Sequence, residues 1–240
     1  MKQKLPIIAI LLAGSLFSLT AQAVLDLPRF RISASGGLGY LFAEGQENIE
    51  GVVSREKVDQ LSNDLRWATL LNGDIHYLLK EGYGVGVKYI FQNTSGEAPE
   101  VVLDPYDGMH YIVADMWEKD YIHFTGFSFG TFSAVGYHQN VYLTSSLSAG
   151  YAWLRSEVSV LGQNRLITGS NFAMNADIGA DYRFHPQLGI GVNLGAFMGY
   201  FDQINITDGI SSLEQKLDKD SRYNASSIHL SLGLRYYINR

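Results

Sequence analysis

The chain has 240 residues, no cysteine and a formal net charge of −6, which rules out disulfide staples and cysteine lipidation and argues against a nucleic-acid partner. Glycine (25) and tyrosine (15) are abundant while proline (5) is scarce, a composition that suits long twisted strands better than helices.

The first element is not part of the fold. In MKQKLPIIAILLAGSLFSLTAQA, Lys2 and Lys4 precede an apolar run over 5–19, and Ala21-Gln22-Ala23 supplies a small-x-small cleavage signal. This is the layout of a secretory signal peptide over 1–23, whose apolar core is too short to span a bilayer comfortably. Of the 240 residues, the 23 of the leader removed, 217 remain. The two leader lysines gone, 16 basic residues stand against 24 acidic ones, a net charge of −8. Residues 24–240 read as one domain with no run long enough for a membrane helix.

Eight segments then alternate apolar and polar residues, at 29–42, 67–79, 83–92, 120–132, 141–154, 171–184, 188–201 and 227–238. Strict alternation marks strands with two unlike faces. The connections 43–66, 93–119, 155–170 and 202–226 are long and polar, whereas 80–82, 133–140 and 185–187 are short. Long and short connections taking turns describe an all-β, eight-stranded antiparallel up-and-down transmembrane barrel, with four long extracellular loops and three short periplasmic turns. Within 43–66, Val52, Val53, Val58 and Leu61 among charges suit a short helix. Within 93–119, Val101, Val102, Leu103, Tyr111, Ile112, Val113 and Trp117 suggest a hairpin above the membrane.

Along each apolar stripe, aromatic residues favour the ends. Tyr40, Phe42, Trp67, Tyr89, Phe91, Tyr151, Trp153, Phe172 and Tyr200 fall at the long-loop end, and Tyr77, Tyr83, Tyr182, Phe184 and Tyr236 at the short-turn end. Two aromatic girdles around an aliphatic band are expected where rings meet lipid headgroups. The opposite faces carry Arg31, Asp74, His76, Lys88, Asp177, Asp181, Arg183, His229 and Arg235. Such charges are costly in a soluble core but pair with one another inside a polar-filled membrane barrel. Segment 120–132, YIHFTGFSFGTF, is apolar on both parities. By analogy with inward glycines elsewhere, Phe127 and Phe129 face out and Gly126 and Gly130 face in, unless a bulge turns Ile122 and Phe124 to the lipid.

Turn geometry sets register. A three-residue Lys80-Glu81-Gly82 loop with Gly82 in the left-handed region puts Leu79 opposite Tyr83 and Asp74 opposite Lys88, an expected ion pair. A His185-Pro186-Gln187 turn sets Asp181 opposite Gly191 and Arg183 opposite Gly189. Asp181 is then a plausible counter-ion for Arg31 and Arg235.

At the C-terminus, IHLSLGLRYYINR alternates apolar residues with aromatics near its end. In this the chain resembles the small eight-stranded outer-membrane barrels of the OmpA and OmpX type. The resemblance implies insertion into a Gram-negative outer membrane and recognition of the last strand by the barrel-assembly machinery, although the chain ends on Arg240 where that family typically ends on an aromatic.

Eight strands enclose just enough space for side chains to fill, so the inner residues read as a structural network rather than a channel lining. Outer-membrane lipid deacylases use a His-x-Ser pair, and His229-Leu230-Ser231 has that spacing. Leu230 and Leu232 claim the lipid side, however, turning His229 and Ser231 inward, away from any scissile lipid. His123 reads as a polar residue at the headgroup zone. The acids Glu97, Glu100, Asp104, Asp107, Asp115 and Glu118 of 93–119, offset by Lys119, read as a solvated surface, with divalent-cation bridging to lipopolysaccharide phosphates as the functional reading. No metal or cofactor motif is present. The expected function is a structural or surface-interaction role (adhesion or envelope integrity) of a monomeric barrel touching membrane lipids, lipopolysaccharide and a surface ligand at the long loops. Passage of small hydrophobic molecules through a narrow or lateral opening is the alternative, and lipid A modification a further one.

Overall fold

A computed structural model describes residues 28–42, 52–79, 82–104, 110–135, 140–160, 162–218 and 222–238. The leader, Lys80, Glu81 and Arg240 lie outside the described residues. The strands are β1 (Phe30–Leu41), β2 (Trp67–Leu78), β3 (Tyr83–Leu103), β4 (Ile112–Val135), β5 (Val141–Val160), β6 (Gln163–His185), β7 (Leu188–Phe201), β8 (Gln203–Thr207), β9 (Ser212–Lys216), β10 (Tyr223–Asn224) and β11 (Ser227–Ile238). A helix, α1 (Arg55–Asp64), precedes β2.

Eight of these strands close a ring, in the order β1 to β7 and then β11, each antiparallel to its neighbours. Closure runs the full length of the seam, from Phe30 opposite Ile238 to Leu41 opposite Ser227. Every ring strand therefore has both edges paired, which a lipid environment demands of a sheet. The register follows from the turns. Gly82 adopts φ of 82°, Leu79 N–H donates to the Tyr83 carbonyl at 2.7 Å, and Asp74 lies opposite Lys88. After β6, Asp181 stands opposite Gly191 and Arg183 opposite Gly189.

The hairpin expected above the membrane within 93–119 is present, and the connections 155–170 and 202–226, expected as loops, also contain strand. The β3–β4 ladder continues to Leu103 opposite Ile112, with a register shift between Ala98 and Val101. The β5–β6 ladder continues to Val160 opposite Gln163. Their alternation is weak because one face meets water and the other a small core, so no lipid-facing stripe marks them. β8 joins the upper part of β6 and carries β9 on its far edge. A wall of six strands, β3 to β6 with β8 and β9, therefore stands above the ring.

Helix α1 lies against that wall because Val58 and Leu61 fall on one face, three residues apart. They pack with Ala98, Val101 and Met116. Lys57 Nζ donates to the carbonyls of Pro99 and Glu100 at 2.8 and 2.9 Å, clamping the register shift, where Glu100 holds a positive φ of 53°.

Side-chain parity separates the two faces. Leu232 and Leu234 on β11 are each 65% exposed on the outside, while Ser231 and Arg235 are buried inside. An aliphatic belt this wide is stable only against lipid. On β4, Phe127 and Phe129 face out and Gly126 and Gly130 face in. The bulge that would have turned Ile122 and Phe124 outward does not exist: the β4–β5 register is unbroken, and both residues are fully buried in the lumen.

Candidate functional site

The lumen is the first candidate, and it is filled. Its half nearer the short turns holds an ion network built on three carboxylates and three cations. Arg31 Nη1 donates to Asp74 Oδ1 at 2.6 Å and its Nε to Asp181 Oδ2 at 2.8 Å. Arg235 Nε donates to Asp181 Oδ1 at 2.9 Å, and its Nη1 to the Ser35 hydroxyl at 2.7 Å. Tyr237 adds its hydroxyl to Asp181 Oδ2 at 3.1 Å. Lys88 Nζ donates to Asp177 Oδ2 at 2.6 Å, beside Asn175 Nδ2, also at 2.6 Å. His76 bridges Asp74 and Ser128, 2.9 Å from each, and Ser33 donates to Asp74. His229 Nε2 lies 3.4 Å from Asp177 Oδ1. All the charged members of this network are buried, so each carboxylate must keep its cation.

The expected Asp74–Lys88 pair is a correction. The two lie opposite each other in register, but Arg31 from β1 takes Asp74, and the longer reach of Lys88 crosses the lumen to Asp177 on β6. Register fixes neighbours along the wall, whereas in a narrow barrel a long side chain also reaches the far wall. Gly191 explains how Asp181 and Arg235 meet: a Cβ there would collide with the Asp181 carboxylate and lie 2.7 Å from Arg235 Nε. Arg183 stays outside this network, half-buried, with its guanidinium 5.2 Å from the centre of the Tyr142 ring. His229 and Ser231 do not form a pair. Ser231 accepts from Asn72 Nδ2 at 3.0 Å, and both residues are sealed from lipid by the wall itself.

Apart from a buried Gln92–Ser227 hydrogen bond, the half nearer the long loops is largely apolar, which the alternation did not reveal. Leu41, Leu70, Ile90, Ile122, Phe124, Leu154, Phe197 and Phe201 pack into one cluster, with Phe124 and Phe197 edge to face at 5.5 Å. The signal was present in segment 120–132, whose apolar residues on both parities mean apolar surroundings on both sides. A smaller cluster of Leu78, Phe132 and Tyr142 closes the short-turn end. Beside the ions lies a void bordered by Arg31, Lys88, Asp177 and Phe132, with room for about one water molecule.

The outer aromatic residues stand where the girdles would lie. Tyr40, Trp67, Tyr89, Tyr151, Trp153 and Tyr200 are exposed near the long-loop end; Tyr83, Tyr182 and Tyr236 are exposed near the other, with Tyr77 half-exposed. His123 Nδ1 and the Tyr89 hydroxyl lie 2.8 Å apart on the outer wall. One strand step higher, Arg155 pairs with Glu157 at 2.7 Å on the outside, so the wall beyond Tyr121 stands clear of the membrane.

A second candidate sits in that raised wall. Glu118 and Asp120 point inward from β4, between the lumenal apolar cluster and the small core under α1. Asp120 Oδ2 accepts from the Tyr223 hydroxyl at 2.6 Å and from Thr94 Oγ1 at 3.3 Å. Glu118 Oε1 accepts from Ser156 Oγ at 3.4 Å. Burial, reinforced by the neighbouring Asp120 charge, pushes the Glu118 carboxyl up to about 8. Burial also raises Asp120, against hydrogen bonds from Ser156, Tyr223 and Thr94 that pull the other way. The Tyr223 hydroxyl is driven well above its usual range by burial and by these two acids.

One break interrupts the ring. β6 pairs with β7 up to Ala173 opposite Gly199, then resumes with β8 at Gly169 opposite Ile204. The Asn171 side chain bridges the gap, donating from Nδ2 to the Tyr200 carbonyl at 2.7 Å and to Asp202 Oδ1 at 3.1 Å.

No protein-family model matches the chain, and no curated protein sequence does. Solved structures do. OprG, an outer membrane protein of Pseudomonas aeruginosa, is similar with a TM-score of 0.55 over 89% of this chain and 97% of its own, at 9% identity. Neisserial surface protein A gives 0.45 over 87% and 97% at 12% identity. Ail, the attachment invasion locus protein of Yersinia pestis, gives 0.43 over 86% and 99% at 15% identity. The likeness to OprG shows the fold: a small antiparallel barrel of the outer-membrane type.

Proposed function

We propose that this barrel is a closed scaffold that presents its raised wall at the cell surface, in a structural or surface-interaction role such as adhesion or envelope integrity. The observation that carries this reading is the lumen. Among the described residues an ion network and a packed aromatic cluster occupy it in series, and this filling favours a barrel closed to solutes. What the fold offers outward is the six-stranded wall with α1 against it, a rigid platform for exposed loops. Its exposed residues include Val53, Tyr111, Val113, Ile210 and Leu213. Mature residues 24–240 following a cleaved leader, with the last strand read by the barrel-assembly machinery and lipid and lipopolysaccharide around a monomer, complete the proposal. Single-channel recording in planar bilayers tests it: purified protein should be silent, and steady conductance steps would overturn it. Cells displaying a variant with 203–216 replaced by a short turn should lose surface binding while keeping the barrel.

The break at Asn171 favours one second reading, lateral passage of a small apolar molecule between membrane and lumen. Phe201 and Ala173 of the apolar cluster lie beside that break. Asn171→Ala should then speed uptake of a small apolar dye into vesicles holding the protein; unchanged uptake would end this reading. An enzymatic role for His229 and Ser231 has no support in their placement, and lipid A mass profiles should be the same with both replaced by alanine.

A further inference from the structure

The pair Glu118 and Asp120 is an electrostatic anomaly of the raised wall. Two carboxyls two residues apart on one strand point to the same side of β4, close enough that the Asp120 charge raises the cost of ionising Glu118. Asp120 is 3% exposed. Every other buried aspartate described, Asp74, Asp177 and Asp181, has a cationic partner at 2.9 Å or less. Asp120 has none, and among the described residues neither it nor Glu118 forms an ion pair. Asp120 Oδ2 is held by Tyr223 and Thr94, but its Oδ1 is buried and makes no hydrogen bond. A buried carboxylate oxygen without a donor is costly, and a second carboxyl beside it makes it costlier.

Each oxygen nearby is a hard ligand. Asp120 Oδ1, the Glu118 carboxyl and the Ser156 hydroxyl present an all-oxygen set, and there is no nitrogen or sulfur ligand among the contacts of the pair. Lysine or arginine would answer the charge equally well, yet Lys119 points outward and lies 5.6 Å from the Trp117 ring centre. We infer that Glu118 and Asp120 form a site for a hard divalent cation of the calcium type, with Ser156 as a further ligand and waters completing the shell. Carboxylate, hydroxyl and water oxygens in an irregular arrangement suit calcium, which tolerates varied geometry, better than magnesium. Tyr223 and Thr94 act as positioning residues, holding the Asp120 carboxylate by Oδ2 and leaving Oδ1 free for the ion. Because Tyr223 belongs to β10, the bound ion also ties the fourth long connection to the β3–β5 side of the wall.

Terbium serves as the probe, since it replaces calcium on oxygen ligands and its luminescence is sensitised by a nearby tyrosine such as Tyr223. The full chain, refolded in detergent micelles and stripped with chelator, is titrated with terbium under tyrosine excitation and then with calcium chloride. The expected result is one saturable site per chain, displaced by calcium. Asp120→Asn and Glu118→Gln should each weaken both terbium and calcium at least tenfold, while Glu157→Gln on the outer wall leaves binding unchanged. Heat-modifiable migration on gels reports whether each variant has folded; should Asp120→Asn fail, the less buried Glu118→Gln carries the test. No saturable site, or equal calcium binding in wild type and Glu118→Gln, would overturn the inference and leave the pair neutralised by a proton alone.

Discussion

The two halves of the lumen fill the same cylinder by opposite means. Near the short turns, Arg31, Arg235 and Lys88 meet Asp74, Asp181 and Asp177, and nearly every contact has a direction and a required partner. Near the long loops, Ile122, Phe124, Phe197 and Phe201 meet one another with no directional demand. Both exclude solutes, but they should fail differently. A network of buried charges is brittle, because removing one member strands the others. A packed apolar cluster degrades in proportion to the volume removed.

The sharpest way to break the comparison is Asp181→Ala, which deprives two buried guanidiniums and Tyr237 of their acceptor. Its cost should be about 5 kcal/mol or more, above the range for one broken buried pair, read as a shift of the urea unfolding midpoint in lipid vesicles. Phe124→Ala should cost less, about 3–4 kcal/mol, through a cavity with no stranded charge. If the two costs come out equal, the distinction between the halves is wrong. Ile122→Val sharpens the apolar side further, with an expected loss of about 1 kcal/mol and no loss of cooperativity.

A separate comparison concerns pH. Glu118 ordinarily titrates near 4.5 and is raised to about 8 in the folded chain. Between those values the folded protein keeps a proton that the unfolded chain has released, so stability falls as pH rises through that window. In chelator, the unfolding midpoint of wild type should decline from about pH 5 to about pH 8 more steeply than that of Glu118→Gln. Parallel curves for the two proteins would remove Glu118 from the account.

Where the two halves differ also explains what the sequence disclosed. Alternation is a contrast between faces, and it is strong where lipid lies outside and ions lie inside, as in Asp74, His76, Asp177 and Arg235. Gly82 and the 185–187 turn even set the opposing residues. Alternation vanishes where both faces are apolar, so it leaves Ile122 and Phe124 ambiguous; it puts Leu70 and Ile90 on the faces of Asp74 and Lys88 without disclosing that they join an apolar cluster. The partners of Lys88 and Asp74 were illegible for another reason: local register cannot say which side chain reaches across to a distant strand. Nor did the polar stretch 155–170 announce itself as strand, since its rungs stand in water and carry no stripe.

The seam between β1 and β11 has a consequence for biogenesis. Arg235 and Ser35 touch across it although 200 residues separate them in the chain. Until synthesis and delivery of the final segment are complete, β1 exposes a naked edge and Asp181 lacks one of its two arginines. A half-made molecule is thus both sticky and internally miswired, and loop-closure entropy makes so distant a meeting slow. Docking of β11 therefore closes the sheet edge and completes the ion network in one step, and a chain cut before Ser227 should fail to give the heat-modifiable gel migration of a closed barrel.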